Sequence, residues 1–242
     1  TERPEFLAWK WFGGGNKLRD EIYGNHGLIA FDAYCIGPET SGWFRREIKN
    51  VDDMKGIKMR FFGLGAKVMQ KVGVSTQLLA PADIFPALER GVIDATEFSM
   101  PGMDLKQGFH QVAKFNYFPG WHQLTSCSEI LMNKKAYEAL PANYKRMIQV
   151  AATAQVVYNY AESEHSQFAV MAEFRDKYKV QIKRWSDADL ATYEKLWLEV
   201  IKEESAKDPL FKKVADHYLA YRKAYAIWGD AQYMKPSSTA FA

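Results

Sequence analysis

Two charged residues sit where apolar strand patterns end. Arg60 lies in the run IKMRFF, and Glu97 lies at the end of VIDATEF, just before Phe98. Arginine presents a planar fork that matches a carboxylate with two parallel hydrogen bonds, so Arg60 has the chemistry to capture a small organic acid. On pattern alone, a solvent-facing strand arginine paired with Asp52 or Asp53 is an equal alternative. Glu97 follows a buried-looking segment, and a buried carboxylate needs a cation or several donors. Arg60 and a bound metal ion are the two candidates to face it.

Other chemistries leave no signature. The glycine run WFGGGNKL lacks the Gly-Lys-Ser/Thr ending of a phosphate loop and follows a helical pattern where a strand is needed, so it reads as a connector. The five histidines, at positions 26, 110, 122, 165 and 217, include no pair at zinc-ligand spacing, and each reads as a surface or satisfied core residue. No serine occupies a nucleophile elbow. Cys35 and Cys127 are too few for a disulfide scaffold; one disulfide and two buried thiols are equally open.

For Arg60 and Glu97 to meet, the runs before them must be neighbouring strands. Residues 57 to 62 read as a strand, Val68, Met69 and Val72 share one helical face, and Gly73 supplies a stop. VSTQLLA reads as the next strand, IFPALER as a helix capped by Asp83 and ended by Gly91, and VIDATEF as another strand. Strands alternating with short helices imply a mostly parallel α/β sheet, whose ligands settle at the C-terminal strand ends. Arg60 and Glu97 occupy such ends.

After Pro141 the chain runs from Ala142 to about Tyr178 without glycine or proline. Ile148, Ala151, Ala154 and Tyr158 form one apolar stripe, continued by Phe168, Met171, Phe174 and Tyr178. Such a helix would reach roughly 55 Å, enough to bridge two lobes. VQIKRW then reads as a strand, Ser186 with Asp187 and Asp189 opens a helix to about Ala206, and Asp208 and Pro209 open the last one. That last helix carries Tyr218, Tyr221, Tyr225 and Trp228, an aromatic stripe that needs a partner surface.

Composition bounds the rest. The 242 residues are 48% hydrophobic and 25% charged, which suits one or two folded domains. The 32 Lys and Arg are interleaved with 29 Asp and Glu for a net charge of +3, which argues against nucleic acid as a partner. No apolar run approaches the roughly 18 to 20 residues of a membrane span. The opening TERPEFLAWKWFGGG has neither a methionine nor a signal-peptide pattern and reads as the middle of a packed helix, which suggests an upstream segment.

The segments SGWFRREIKNVDDMKGIKMRFFGLGAKVMQKVG, DIFPALERGVIDATEFSMPGMD and YFPGWHQ followed by LMNKKAYEALP resemble the solute-binding receptors of TRAP transporters, over nearly the whole chain. The branch most similar binds 2-oxo acids or lactate with a cation. The resemblance implies a two-lobed periplasmic-binding-protein-like α/β fold with mostly parallel sheets and a long lobe-spanning helix. It also implies a chain lacking about the first hundred residues of such a receptor. Residues 1–34 and 96–125 are then expected in lobe one. Residues 35–95 and 126–185, with the bridging helix 142–178, are expected in lobe two, and 186–242 as C-terminal helices.

By position, Arg60 matches the arginine that grips the substrate carboxylate. Phe62, Phe98 and Trp121 would meet the rest of the ligand. The metal ligands of the branch fall on Glu39, on Glu97 with the Phe98 carbonyl, and on Gln123, with the amide and one carboxylate exchanged relative to the branch. Oxygen ligands of this kind suit a hard cation, Ca²⁺ or Na⁺. The resemblance thus implies a periplasmic receptor that does no chemistry and hands a small 2-oxo or 2-hydroxy monocarboxylate, pyruvate-like or lactate-like, to TRAP permease subunits. A homodimer through the C-terminal helix is a further expectation. The alternative is a hydrolase using Glu39 and Glu97 as a carboxylate pair.

Overall fold

The computed structural model describes residues 3–232. Two helices, α1 (Arg3–Trp11) and α2 (Gly15–Gly24), lead into strand β1 (Leu28–Ile36). Then come β2 (Gly42–Phe44), β3 (Lys58–Arg60), α3 (Gly63–Val72), β4 (Ser75–Gln77), α4 (Pro81–Glu89), β5 (Ala95–Thr96), α5 (Pro101–Gln107) and β6 (Phe115–Phe118). The chain continues through β7 (Ser126–Asn133), α6 (Lys134–Glu138), α7 (Ala142–Asp176), β8 (Gln181–Arg184), α8 (Asp187–Lys207) and α9 (Pro209–Gln232).

The strands form two sheets, an antiparallel β1–β7 ladder and a six-stranded sheet in the order β4-β3-β5-β2-β6-β8. In the larger sheet β3 runs parallel to β4 and β5, β6 runs parallel to β8, and β2 is antiparallel to both its neighbours. Adjacent residues of a strand point to opposite faces. Phe44 accordingly joins a core with Met59, Phe61, Met69, Tyr117 and Tyr193, while Trp43 joins a second one with Ile84, Leu88, Phe109 and Phe174. Both faces of the sheet are covered, which is why its strands read as apolar runs.

These pairings redraw the expected lobes. Residues 96–125 contribute β5 and β6 to the same sheet as β2, β3 and β4, so they do not group with 1–34. β7, expected in lobe two, instead pairs with β1, and Cys35 and Cys127 face each other in that register and are joined by a disulfide. Residues 1, 2 and 233–242 of the expected ranges lie outside the described residues.

Helix ends follow local chemistry. α3 stops at Gly73, whose φ of 97° is in the left-handed region that glycine adopts without strain. Ser186 and Asp189 form a reciprocal capping box at the start of α8. α4 differs from expectation: it starts at Pro81 after Ala80, and Asp83 lies in its first turn instead of capping it.

The long helix exists and buries Phe174 of the expected stripe, but the rest of its buried face differs. Ala152, Val156, Ser163 and Phe174 are buried, whereas Tyr158 is 67% exposed and Ala151 and Ala154 are also exposed. Small residues let α7 lie close along β1, where large apolar side chains would hold it off. Ser163 Oγ accepts from the Gly37 amide at 3.2 Å, and Gln167 Oε1 accepts from the Gly102 amide at 2.9 Å. The helix thereby ties the β1 end of the small ladder to α5 beside the large sheet.

The aromatic stripe of α9 divides. Tyr218 packs on Trp9 of α1 at 4.7 Å between ring centroids, and Trp9 donates its indole N–H to His217 Nδ1 at 3.0 Å. Trp228, farther along, is exposed. No helix among the described residues is long and apolar enough to cross a membrane.

Candidate functional site

The site grows from adjacent strand ends. Arg60 is the last residue of β3, opposite Gln77 of β4 and Thr96 of β5, and the Glu97 amide donates to Arg60 O at 3.0 Å. The register therefore forces the Arg60 and Glu97 side chains together. Arg60 is buried, and its Nη1 donates to Glu97 Oε2 at 3.0 Å and also to the Glu97 carbonyl. The alternative pairing with Asp52 or Asp53 does not occur: Asp52 binds Lys55, and Asp53 accepts from the Lys49 amide. The guanidinium carbon lies 5.3 Å from the Phe62 ring centre and 5.5 Å from that of Phe98, within cation–π range.

Glu39 arrives on the segment between β1 and β2. Its amide donates to Gln123 O at 3.1 Å, and the next amide, of Thr40, donates to Ser99 O at 3.1 Å. The segment is thus pinned between the turn after β5 and the turn after β6. Gly120 permits this approach, because a Cβ there would stand 2.2 Å from Glu39 O. Gln123 Nε2 donates to Glu39 Oε1 at 2.8 Å, so the amide holds the carboxylate.

Two histidines depart from the sequence expectation: His110 is buried with its Nδ1 unpartnered, and His122 lies among the acids. His122 is neither on the surface nor a satisfied core residue: its side chain is 6% exposed, with Nε2 3.4 Å from Glu97 Oε1 and 3.7 Å from Glu39 Oε2. Phe61 meets it edge-on at 4.9 Å. Trp121, the expected ligand contact, is stacked on Tyr193 at 4.7 Å and so gives one face to the core of the large sheet. His122 and Gln123 also border a cavity of about 410 Å³ shared with Trp197 and Tyr218, which Arg60 does not line.

The electrostatics are those of crowded acids. Burial pushes the Glu39 carboxyl up to about 7, with Glu97 adding to the rise and His122 opposing it. Burial likewise pushes Asp104 up to about 8, against a hydrogen bond from the Trp43 indole at 2.8 Å. Burial pulls His122 down, but the two carboxylates outweigh it and leave it above its ordinary value. Glu39 and Glu97 thus share one guanidinium and one imidazole with Asp104 packed behind them on Trp43, and Glu39 and Asp104 hold protons more tightly than usual.

A cation fits that arrangement. Glu39, Glu97 and His122 each offer a donor atom within 4.8 Å of the others. Glu39 Oε2, Glu97 Oε1 and His122 Nε2 are all buried without a hydrogen-bond partner, as is Arg60 Nε. Buried polar atoms of this kind are costly unless something completes them.

Residues 9–208 match the model of the bacterial extracellular solute-binding proteins, family 7. The chain belongs to this family. It is 34% identical over 224 residues to a monocarboxylate 2-oxoacid-binding periplasmic protein of Nostoc sp. (strain PCC 7120), a match covering 91% of this chain and 60% of that protein. The chain therefore spans about 60% of the length of this curated relative. A TRAP transporter solute-binding protein from Bordetella bronchiseptica, a mixed-occupancy dimer with calcium and picolinate, superposes with a TM-score of 0.88 at 30% identity, over 95% of this chain and 68% of that one. One from Pseudoalteromonas atlantica with bound sodium and pyruvate gives 0.86 at 31% identity, over 95% and 70%.

The fold is that of the TRAP periplasmic solute-binding proteins. A family of solute-binding proteins gives no support to the hydrolase alternative. The structure brings Arg60 to Glu97 and Gln123 to Glu39, and Phe62 and Phe98 flank the guanidinium. His122 and Asp104 were missed. The one available signal for His122 was its place directly before Gln123 in PGWHQ, and Asp104 had none beyond its position three residues past Pro101.

Proposed function

We propose that this chain is the ligand-binding part of a periplasmic TRAP receptor for a small 2-oxo or 2-hydroxy monocarboxylate, pyruvate-like or lactate-like. The observation that carries the proposal is the buried guanidinium of Arg60 beside carboxylate oxygens that lack partners. Arg60 grips the acid carboxylate, with Nε free to donate to it. Glu39 and Glu97 hold the bridging cation, and the Phe98 carbonyl and Gln123 complete its surroundings. When bound, the cation supplies a second positive point for the ligand carboxylate and its keto or hydroxyl oxygen.

Oxygen donors suit Ca²⁺ or Na⁺, which the Bordetella and Pseudoalteromonas proteins respectively hold. Phe62, Phe98 and Trp121 set the space left for the rest of the acid. The ligand is then passed unchanged to TRAP membrane permease subunits. The exposed end of α9, with Ile227 and Trp228, supports a homodimer through the C-terminal helix. The test is thermal denaturation with pyruvate, lactate and longer 2-oxo acids, with and without chelator, since a ligand that binds the native state raises apparent stability. A shift for short acids that depends on the cation is expected; no shift with any of them would defeat the proposal.

A further inference from the structure

We propose that Nε2 of His122 is itself a ligand of the bridging cation, so that this site takes a first-row divalent ion in preference to Ca²⁺. The inference rests on the cation site of the proposed function and deepens it. Each carboxylate has one oxygen tied down and one free. Arg60 holds Glu97 Oε2 at 3.0 Å and Gln123 holds Glu39 Oε1 at 2.8 Å. The remaining oxygens, Glu97 Oε1 and Glu39 Oε2, are the two that lack partners, and both lie beside His122 Nε2, which lacks one too.

Donors about 2.1 Å from a shared ion in tetrahedral array stand ~3.4 Å apart. His122 Nε2 stands 3.4 Å from Glu97 Oε1 and 3.7 Å from Glu39 Oε2, and all three donors lie within 4.8 Å of one another, so an ion would draw them inward. The outer contacts are of the kind that fix ligand orientation: an amide on one carboxylate, a guanidinium on the other, and the Phe61 edge against the imidazole. A nitrogen donor changes which ion wins. Imidazole suits Zn²⁺, Co²⁺ and their neighbours, whereas Ca²⁺ takes oxygen.

Titration of the full chain with Co²⁺ in the presence of pyruvate tests this. The expected result is one equivalent bound, with visible d–d absorption and a hyperfine-shifted, exchangeable imidazole N–H proton resonance that reports the ligand without any substitution. His122→Phe, or His122→Gln should the first fail to fold, should weaken Co²⁺ about 100-fold or more, beyond the 10- to 100-fold cost of losing an outer contact. Absence of the shifted resonance, or displacement of Co²⁺ by equimolar Ca²⁺ in the wild type, would overturn the inference while leaving a calcium-dependent receptor intact. Pyruvate binding indifferent to chelator would also overturn it, with the imidazolium serving as a built-in cation. No pyruvate binding with any cation would defeat the proposed function as well.

Discussion

Asp104→Asn isolates the electrostatic cost of the acids packed around this site. Asp104 is fully buried, and its carboxyl is pushed up to about 8 from an ordinary 3.8, mainly by loss of solvent. The native state therefore keeps a proton that the unfolded chain releases at much lower pH. Between those two values the native state binds more protons, so stability falls as pH rises, and the loss is complete above the native value. Each pH unit in the window removes about 1.4 kcal/mol, which from about pH 4 to about pH 8 sums to ~6 kcal/mol. That is comparable with the whole stability of a marginal domain.

Asparagine keeps an acceptor for the Trp43 indole, now donated to Asp104 Oδ2 at 2.8 Å, and never ionises. Urea unfolding followed from pH 5 to pH 9 should show wild-type stability declining steeply. The variant should decline much less, with the residual slope coming from Glu39, which releases its proton near 7. Near pH 5 the two proteins should be similar. Equal slopes in both would refute the assignment of a buried, proton-holding Asp104.

Arg60→Ala should lower pyruvate affinity by at least about 100-fold in calorimetric titration, because two charge-assisted hydrogen bonds are each worth ~1.5 to 3 kcal/mol. The same substitution strands buried Glu97, so thermal stability should also drop, and added cation should recover part of it. Gly120→Ala places a Cβ 2.2 Å from Glu39 O and should push the two segments apart. Its expected signature is weakened cation binding together with a stability loss of ~1 to 3 kcal/mol, read by titration and chemical denaturation.

What the sequence disclosed was set by local pattern. Arg60 and Glu97 were legible because one ends a strand and the other directly follows one, in a run of strands alternating with helices, and the parallel register of β3 with β5 then brings them together. The α3 stop at Gly73 and the Ser186 cap were legible because one residue type at one position carries each. The contact face of α7 was only partly so. Bulky Phe174 was picked out and is buried, but Ala152, Val156 and Ser163 have smaller side chains, so a search for bulky apolar spacing there picks out Tyr158, which faces solvent.

The lobe boundaries failed for a related reason. β5 is two residues long and β2 three, too short for periodicity to say which sheet they join, and the β1–β7 pairing is a long-range choice. His122 was invisible as a site residue because its partners Glu39 and Glu97 come from two other turns of the chain, and ligand-spacing rules look within one element. The arginine and acids carried over by resemblance came together, while the histidine among them emerged only from the fold.

A crystal structure of the full chain grown with pyruvate and calcium tests the central claim most directly. The account predicts the pyruvate carboxylate on the Arg60 guanidinium, and a cation within bonding distance of both Glu39 and Glu97 and of the ligand itself. Pyruvate bound away from Arg60, or a cation that touches neither carboxylate, would contradict it.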